Sequence, residues 1–71
     1  MKKEVYNRLL EEKSELNKKA VKLQCFIESD DFEKLSDANK VLLNVQLGIM
    51  YDYLSILTVR IELNQPQENE N

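Results

Sequence analysis

The chain contains no histidine, no tryptophan, one cysteine (Cys25), one glycine (Gly48) and one proline (Pro66) in 71 residues. Each shortage excludes something. A single thiol cannot form an intramolecular disulfide, and without histidine the four soft or borderline ligands of a structural zinc site cannot be assembled. The lone thiol suits a reducing compartment. The scarcity of Gly and Pro leaves little turn material for a β-sheet. There is no Gly-rich phosphate loop, no imidazole for proton transfer, and no Ser or Cys with a base at hand. An enzyme is not expected. A net charge of −3 argues against duplex nucleic acid as the main partner. The charged start, Met1-Lys2-Lys3-Glu4, does not read as a secretory leader.

What is present is amphipathic helix. Charged residues make up 32% and apolar ones 42%, the profile of a helical bundle. A single domain spanning residues 1–63 is expected, followed by a polar, disordered tail at 64–71. In the first element, over about residues 3–28, Val5, Leu9, Leu16, Ala20, Leu23 and Ile27 recur at helical spacing. Leu10, Val21 and Phe26 flank this stripe. Glu4–Arg8 and Glu15–Lys19 are spaced as i,i+4 ion pairs. Ser29-Asp30-Asp31 then breaks the pattern. Asp30 is the expected N-cap of a single turn at Asp31–Leu35, with Glu33 as its capping-box partner. Phe32 and Leu35 should plug the end of the bundle. Ser36 is the next expected cap, with Asp37 in the following first turn.

The second long helix is predicted from Asp37 to about Leu63, and it carries two apolar stripes. Leu43, Leu47, Met50, Leu54, Leu57 and Ile61 step as a heptad seam. Leu42, Val45, Ile49, Tyr53 and Ile56 form the second. One partner helix can cover only one stripe, and monomers rarely leave the other open. The fold class expected is therefore all-α: an antiparallel hairpin of two long helices with a short helical connector, assembled into a homo-oligomeric bundle. Mid-helix Gly48 costs about 1 kcal/mol against Ala, and its gain would be close approach of another helix. The run Val41–Val59 has one charge, Asp52, and approaches a membrane span in length. Asn44, Gln46, Ser55 and Thr58 interrupt it, so no membrane partner is expected.

Arg60 is the only cation after Lys40. In an antiparallel hairpin it lies level with roughly residue 8. Two readings stay open: an ion pair with Glu12, or capture of an anion by a planar fork of donors. Lys13 and Arg8 read either as solvated surface or as phosphate contacts. Tyr6 and Tyr53 read either as rim or core aromatics or as stacking surfaces for a base. Cys25 reads as a packing residue, and Met50-Tyr51-Asp52-Tyr53 as interface packing.

Residues 8–27 read R-L-L-x-E-K-x-E-L-x-x-K-x-x-x-L-x-x-F-I, residues 32–35 read F-x-x-L, and residues 42–61 read L-L-x-x-Q-L-x-x-M-x-x-Y-x-x-I-L-x-x-R-I. This pattern resembles a family of small phage proteins, related to those of crAss-like phages, that includes the anti-CBASS cyclic-oligonucleotide sponges. The positions that discriminate are Glu12, Lys13, Phe26, Gln46, Met50, Tyr53 and Arg60. The resemblance implies an interlocked helical hexamer in the host cytoplasm. It would bind cyclic di- and trinucleotides without cleaving them and without a cofactor. It implies a phosphate contact for Arg60, with hydroxyl donors from Thr58 and Ser55 nearby. Lys13 is the next phosphate candidate, and Tyr6 a stacking candidate. Longer members add an N-terminal segment to the dinucleotide pocket. The competing readings are a helical hairpin that inhibits or scaffolds another protein through its second stripe, and a purely structural oligomer.

Overall fold

The computed structural model describes residues 2–66. Helix α1 spans Lys3–Ile27, α2 spans Asp30–Glu33 and α3 spans Asp37–Leu63, with no strand among the described residues. The two long helices run antiparallel and pack along their length, giving a rod one helix pair thick, 55 × 15 × 13 Å. The expected tail lies largely beyond residue 66, outside the described residues.

The heptad seam of α3 is the face that packs. Leu47, Leu54, Leu57 and Ile61 are buried, and Leu43 and Met50 half-buried. From α1, Leu9 joins Leu57 and Ile61 in one cluster, with Tyr6 and Leu16 against it. Ala20 joins Leu47 and Leu54 in a second, bordered by Leu16, Leu23, Ile27 and Met50. Leu16 bridges the two. Ala20 is fully buried: a side chain of one methyl lets the two backbones approach where Leu47 and Leu54 interleave. Fully burying a leucine such as Leu57 contributes about 1.5–3 kcal/mol. Val5, expected in the same stripe, stands exposed at the open end of the hairpin.

The connector differs from expectation in its capping. Ser29, not Asp30, occupies the N-cap position of α2, and Asp30 is the first helical residue. The Ser29 hydroxyl donates back to the Phe26 carbonyl at 2.6 Å. It thus adds a second bond to a carbonyl that already accepts from the Ser29 backbone N–H at 3.0 Å, and it makes no capping bond to α2. Glu33 reaches forward instead and accepts from Lys40 Nζ at 3.3 Å. The turn ends at Glu33, with Lys34 as its C-cap. Phe32 plugs the hairpin as expected: it is buried and meets Phe26 edge-on, with centroids 6.3 Å apart and planes at 89°. Lys40 Nζ lies 5.9 Å from the Phe32 ring centroid, so a cation covers its outer face. Ser36 caps α3 as predicted, accepting from the Asn39 backbone N–H at 3.2 Å.

Two expected surface ion pairs do not form among the described residues. Glu15 reaches Lys18 at 3.9 Å rather than Lys19, and Glu4 and Arg8 are not paired. Exposed pairs of this kind are worth little, so small rotamer preferences decide them.

Candidate functional site

The second stripe of α3 is exposed from end to end: Leu42 64%, Val45 53%, Ile49 62%, Tyr53 40% and Ile56 57%. Leu42, Ile49, Ile56 and Leu63 stand seven residues apart, in a straight line along the helix. A helix apolar all round belongs inside something, yet only four residues of α3 are buried. The α3 surface is accordingly the least satisfied part of the hairpin. It also meets, by length and composition, the requirement for crossing a membrane.

On the opposite flank α1 and α3 leave a shallow groove of about 470 Å³. Lys13 and Asn17 line it from α1, one turn apart. Tyr51, Ser55 and Thr58 line it from α3, with Leu54 and Val59 as apolar walls. Lys13 is half-buried. The positions three and four residues away on its own helix are Leu9, Leu10, Leu16 and Asn17, so no carboxylate neighbours it there. No ion pair holds it among the described residues. The two hydroxyls are oriented by the helix itself. Thr58 donates to the Leu54 carbonyl at 2.9 Å and Ser55 to the Tyr51 carbonyl at 3.1 Å. Each hydroxyl has one proton and two lone pairs. Both are therefore acceptors toward a ligand, which reverses the donor role expected of them.

The expected site residues divide between the two flanks. Lys13 and Thr58 share the groove. Tyr6, seven residues before Lys13, is half-buried against Leu9, Leu57 and Ile61. Its ring is largely spent on the core and does not line the groove. Arg60 and Tyr53, themselves seven residues apart, lie with the exposed stripe on the other side of α3 and are exposed. Arg8 is exposed on α1, with Glu4, Glu11 and Glu12 three or four residues away. The packing of Leu9 with Leu57 and Ile61 confirms that Arg60 is level with residue 8. The Arg60–Glu12 ion pair nevertheless is not formed among the described residues. Both side chains are exposed, and ordering two long side chains in water gains little. The helix neighbours of Arg60 (Ile56, Leu57, Leu63 and Asn64) carry no carboxylate either. Lys13 and Arg60 thus share one property: each is a cation with no carboxylate three or four residues away on its own helix.

Sequence reasoning did not single out Tyr51 and Asn17. Their signal was present in spacing: Tyr51 stands seven residues before Thr58, and Asn17 four after Lys13. The run Met50-Tyr51-Asp52-Tyr53 points first to interface packing, and this masks the place of Tyr51 in the groove. No metal-binding group of His, Cys, Asp and Glu side chains occurs among the described residues.

Fold and site define a small all-α hairpin with a cationic groove on one flank and an uncovered apolar face on the other. No curated protein and no solved structure matches the chain. A family model does: the chain belongs to the Sequestin family, whose model matches residues 3–63, the whole of the helical hairpin. The family name suggests a sequestering function.

Proposed function

We propose that this chain is a phage anti-defence protein. It binds cyclic di- and trinucleotide second messengers in the host cytoplasm and holds them without cleaving them, so that CBASS-type immune signalling fails. The family match over residues 3–63 carries the reading. The site chemistry supports it. Phosphodiesters are acceptor-only anions, and Lys13 and Arg60 are cations with no carboxylate three or four residues away on their own helices. Holding a ligand requires no general acid, base or nucleophile, which suits a chain without histidine.

The working form in this reading is a homo-oligomer, a hexamer by the resemblance. Seven buried apolar residues make the core of one hairpin, and chains this small are marginal alone. Whatever covers Leu42, Ile49, Ile56 and Leu63 must be available as soon as the chain is made, and a second copy always is. A bilayer suits the hairpin less well. α3 is paired with α1 along its length, so spanning would carry the Lys and Glu side chains of α1 into hydrocarbon. In a second reading the exposed stripe docks on a host or phage protein. The same five exposed residues favour it.

Titration calorimetry and native mass spectrometry of the full chain, with and without cyclic di- and trinucleotides, test the proposal. An oligomer that takes up nucleotide in whole-number ratio and returns it unchanged on denaturation is the expected result. A stable 8.4 kDa monomer that binds none of them would shift the reading to the docking protein.

A further inference from the structure

Resting on the sequestration reading, we infer that the groove between α1 and α3 is a base-reading nucleotide subsite. In it Thr58 and Ser55 accept hydrogen bonds from an amino-bearing base, Tyr51 is the stacking surface, and Lys13 holds the adjoining phosphate.

The polarity of the two hydroxyls carries the argument. Thr58 and Ser55 have committed their protons to the Leu54 and Tyr51 carbonyls, at 2.9 and 3.1 Å. Bonding back to the carbonyl four residues earlier is a common arrangement of Ser and Thr within a helix, so the groove wall presents two acceptor oxygens whose protons are already engaged. Adenine, guanine and cytosine carry an exocyclic amino group that can donate to them. Uracil offers carbonyl oxygens on either side of its single N–H, and those would face lone pairs. The wall therefore discriminates by mismatch as well as by match, since an acceptor facing an acceptor leaves both unpaired when buried.

The other three components fit the same ligand. Tyr51 is 43% exposed and lines the groove, and stacking of a base on an aromatic ring is tolerant of base identity. Leu54 and Val59 make the walls apolar, as flat heterocycles require. Lys13 brings a single charge with no carboxylate three or four residues away on its helix, suited as a point charge to one phosphate. Asn17, one turn along, adds an amide that can donate as well as accept. The volume, about 470 Å³, lies within the ordinary range of small-molecule sites.

The test uses the full-length chain in calorimetric titrations with cyclic di-AMP, cyclic di-GMP and cyclic di-UMP. Circular dichroism melts confirm that each variant is folded. Thr58→Val keeps the shape and removes the acceptor. It should weaken the two amino-bearing rings by about tenfold and leave cyclic di-UMP unchanged. Tyr51→Ala should cost about tenfold or more for every ring, and Tyr51→Phe should restore binding. Lys13→Gln should weaken every ring and flatten the salt dependence of binding. If cyclic nucleotides bind at full strength to folded Tyr51→Ala and Lys13→Gln, the subsite is overturned and the sequestration reading stands. If Thr58→Val weakens all three rings alike, base reading is overturned. If the folded wild-type chain binds none of them, the sequestration reading falls and the subsite with it.

Discussion

Thr58 and Arg60, two residues apart in α3, face opposite flanks of the hairpin. At 3.6 residues per turn they are separated by about 160° around the helix axis. Thr58 borders the groove with Lys13, while Arg60 is exposed beside the uncovered apolar stripe. No ligand can lie against both on one chain without wrapping the helix. A phosphate contact from Arg60 thus belongs to a second site, or to the same ligand through another subunit.

That separation sharpens the outcome expected for Arg60→Ala. Arg60 makes no ion pair among the described residues, so its removal should move the melting temperature little, as for most surface changes. Binding of a cyclic trinucleotide should fall more than a hundredfold if two or more symmetry-related guanidinium contacts are lost. Charge-assisted hydrogen bonds are worth about 1.5–3 kcal/mol each. Calorimetry and a thermal melt on the same preparation decide. A lowered melting temperature with unchanged affinity, rescued by Glu12→Gln, would make Arg60 structural.

The core makes a separate prediction. Leu57 has no exposed surface and Leu54 is 9% exposed, both at the seam with α1. Leu57→Ala should destabilise by about 2–5 kcal/mol, a large share of what so short a chain can hold. Leu54→Asp should unfold it, because a carboxylate would enter an apolar seam without a partner. Denaturant titration followed by circular dichroism measures both. A Leu54→Asp chain with wild-type stability would mean that the two helices do not pack through this seam.

How much of this was legible beforehand follows from what each feature depends on. The seam of α3, the exposed second stripe and the Ser36 cap are set by local spacing and by one side chain's reach. The sequence displays these directly. The level of Arg60 against residue 8 followed from antiparallel pairing and a turn near residue 34. The Asp30 cap was misplaced by one residue because Ser29 can serve either neighbour. Its hydroxyl went to the Phe26 carbonyl, a choice set by the end of α1. The groove was half legible. Lys13 and Thr58 were named, but Tyr51 and Asn17 join them only through the register of two helices. The sense of the Thr58 and Ser55 hydroxyls follows from bonding to the carbonyls four residues back on the same helix, an option open to any Ser or Thr inside a helix.

Assembly gives the next prediction. Ile49→Gln with Ile56→Gln polarises the middle of the stripe without touching the seam, since both residues are more than half exposed. If copies of the chain cover this face, sedimentation should show the oligomer dissociating at micromolar concentration. A wild-type sedimentation coefficient for the double variant would place the interface elsewhere on the hairpin.

Gly48 allows a test of the same assembly from the opposite direction. Glycine in a helix interior costs about 1 kcal/mol relative to alanine, and a Cβ added at Gly48 meets nothing within 4 Å in the single chain. Close approach of α1 is therefore not what requires this glycine. For an isolated hairpin, Gly48→Ala should raise stability by about 1 kcal/mol. For an assembly in which another copy's helix lies against this backbone, the added methyl should wedge the interface and lower stability. The expected outcome is the second: a lower melting temperature at high protein concentration, with the difference from wild type shrinking on dilution. Melts across a hundredfold range of concentration separate the cases. A uniform rise at every concentration would mean that nothing packs on Gly48, and that any interface lies wholly along Leu42, Ile49, Ile56 and Leu63.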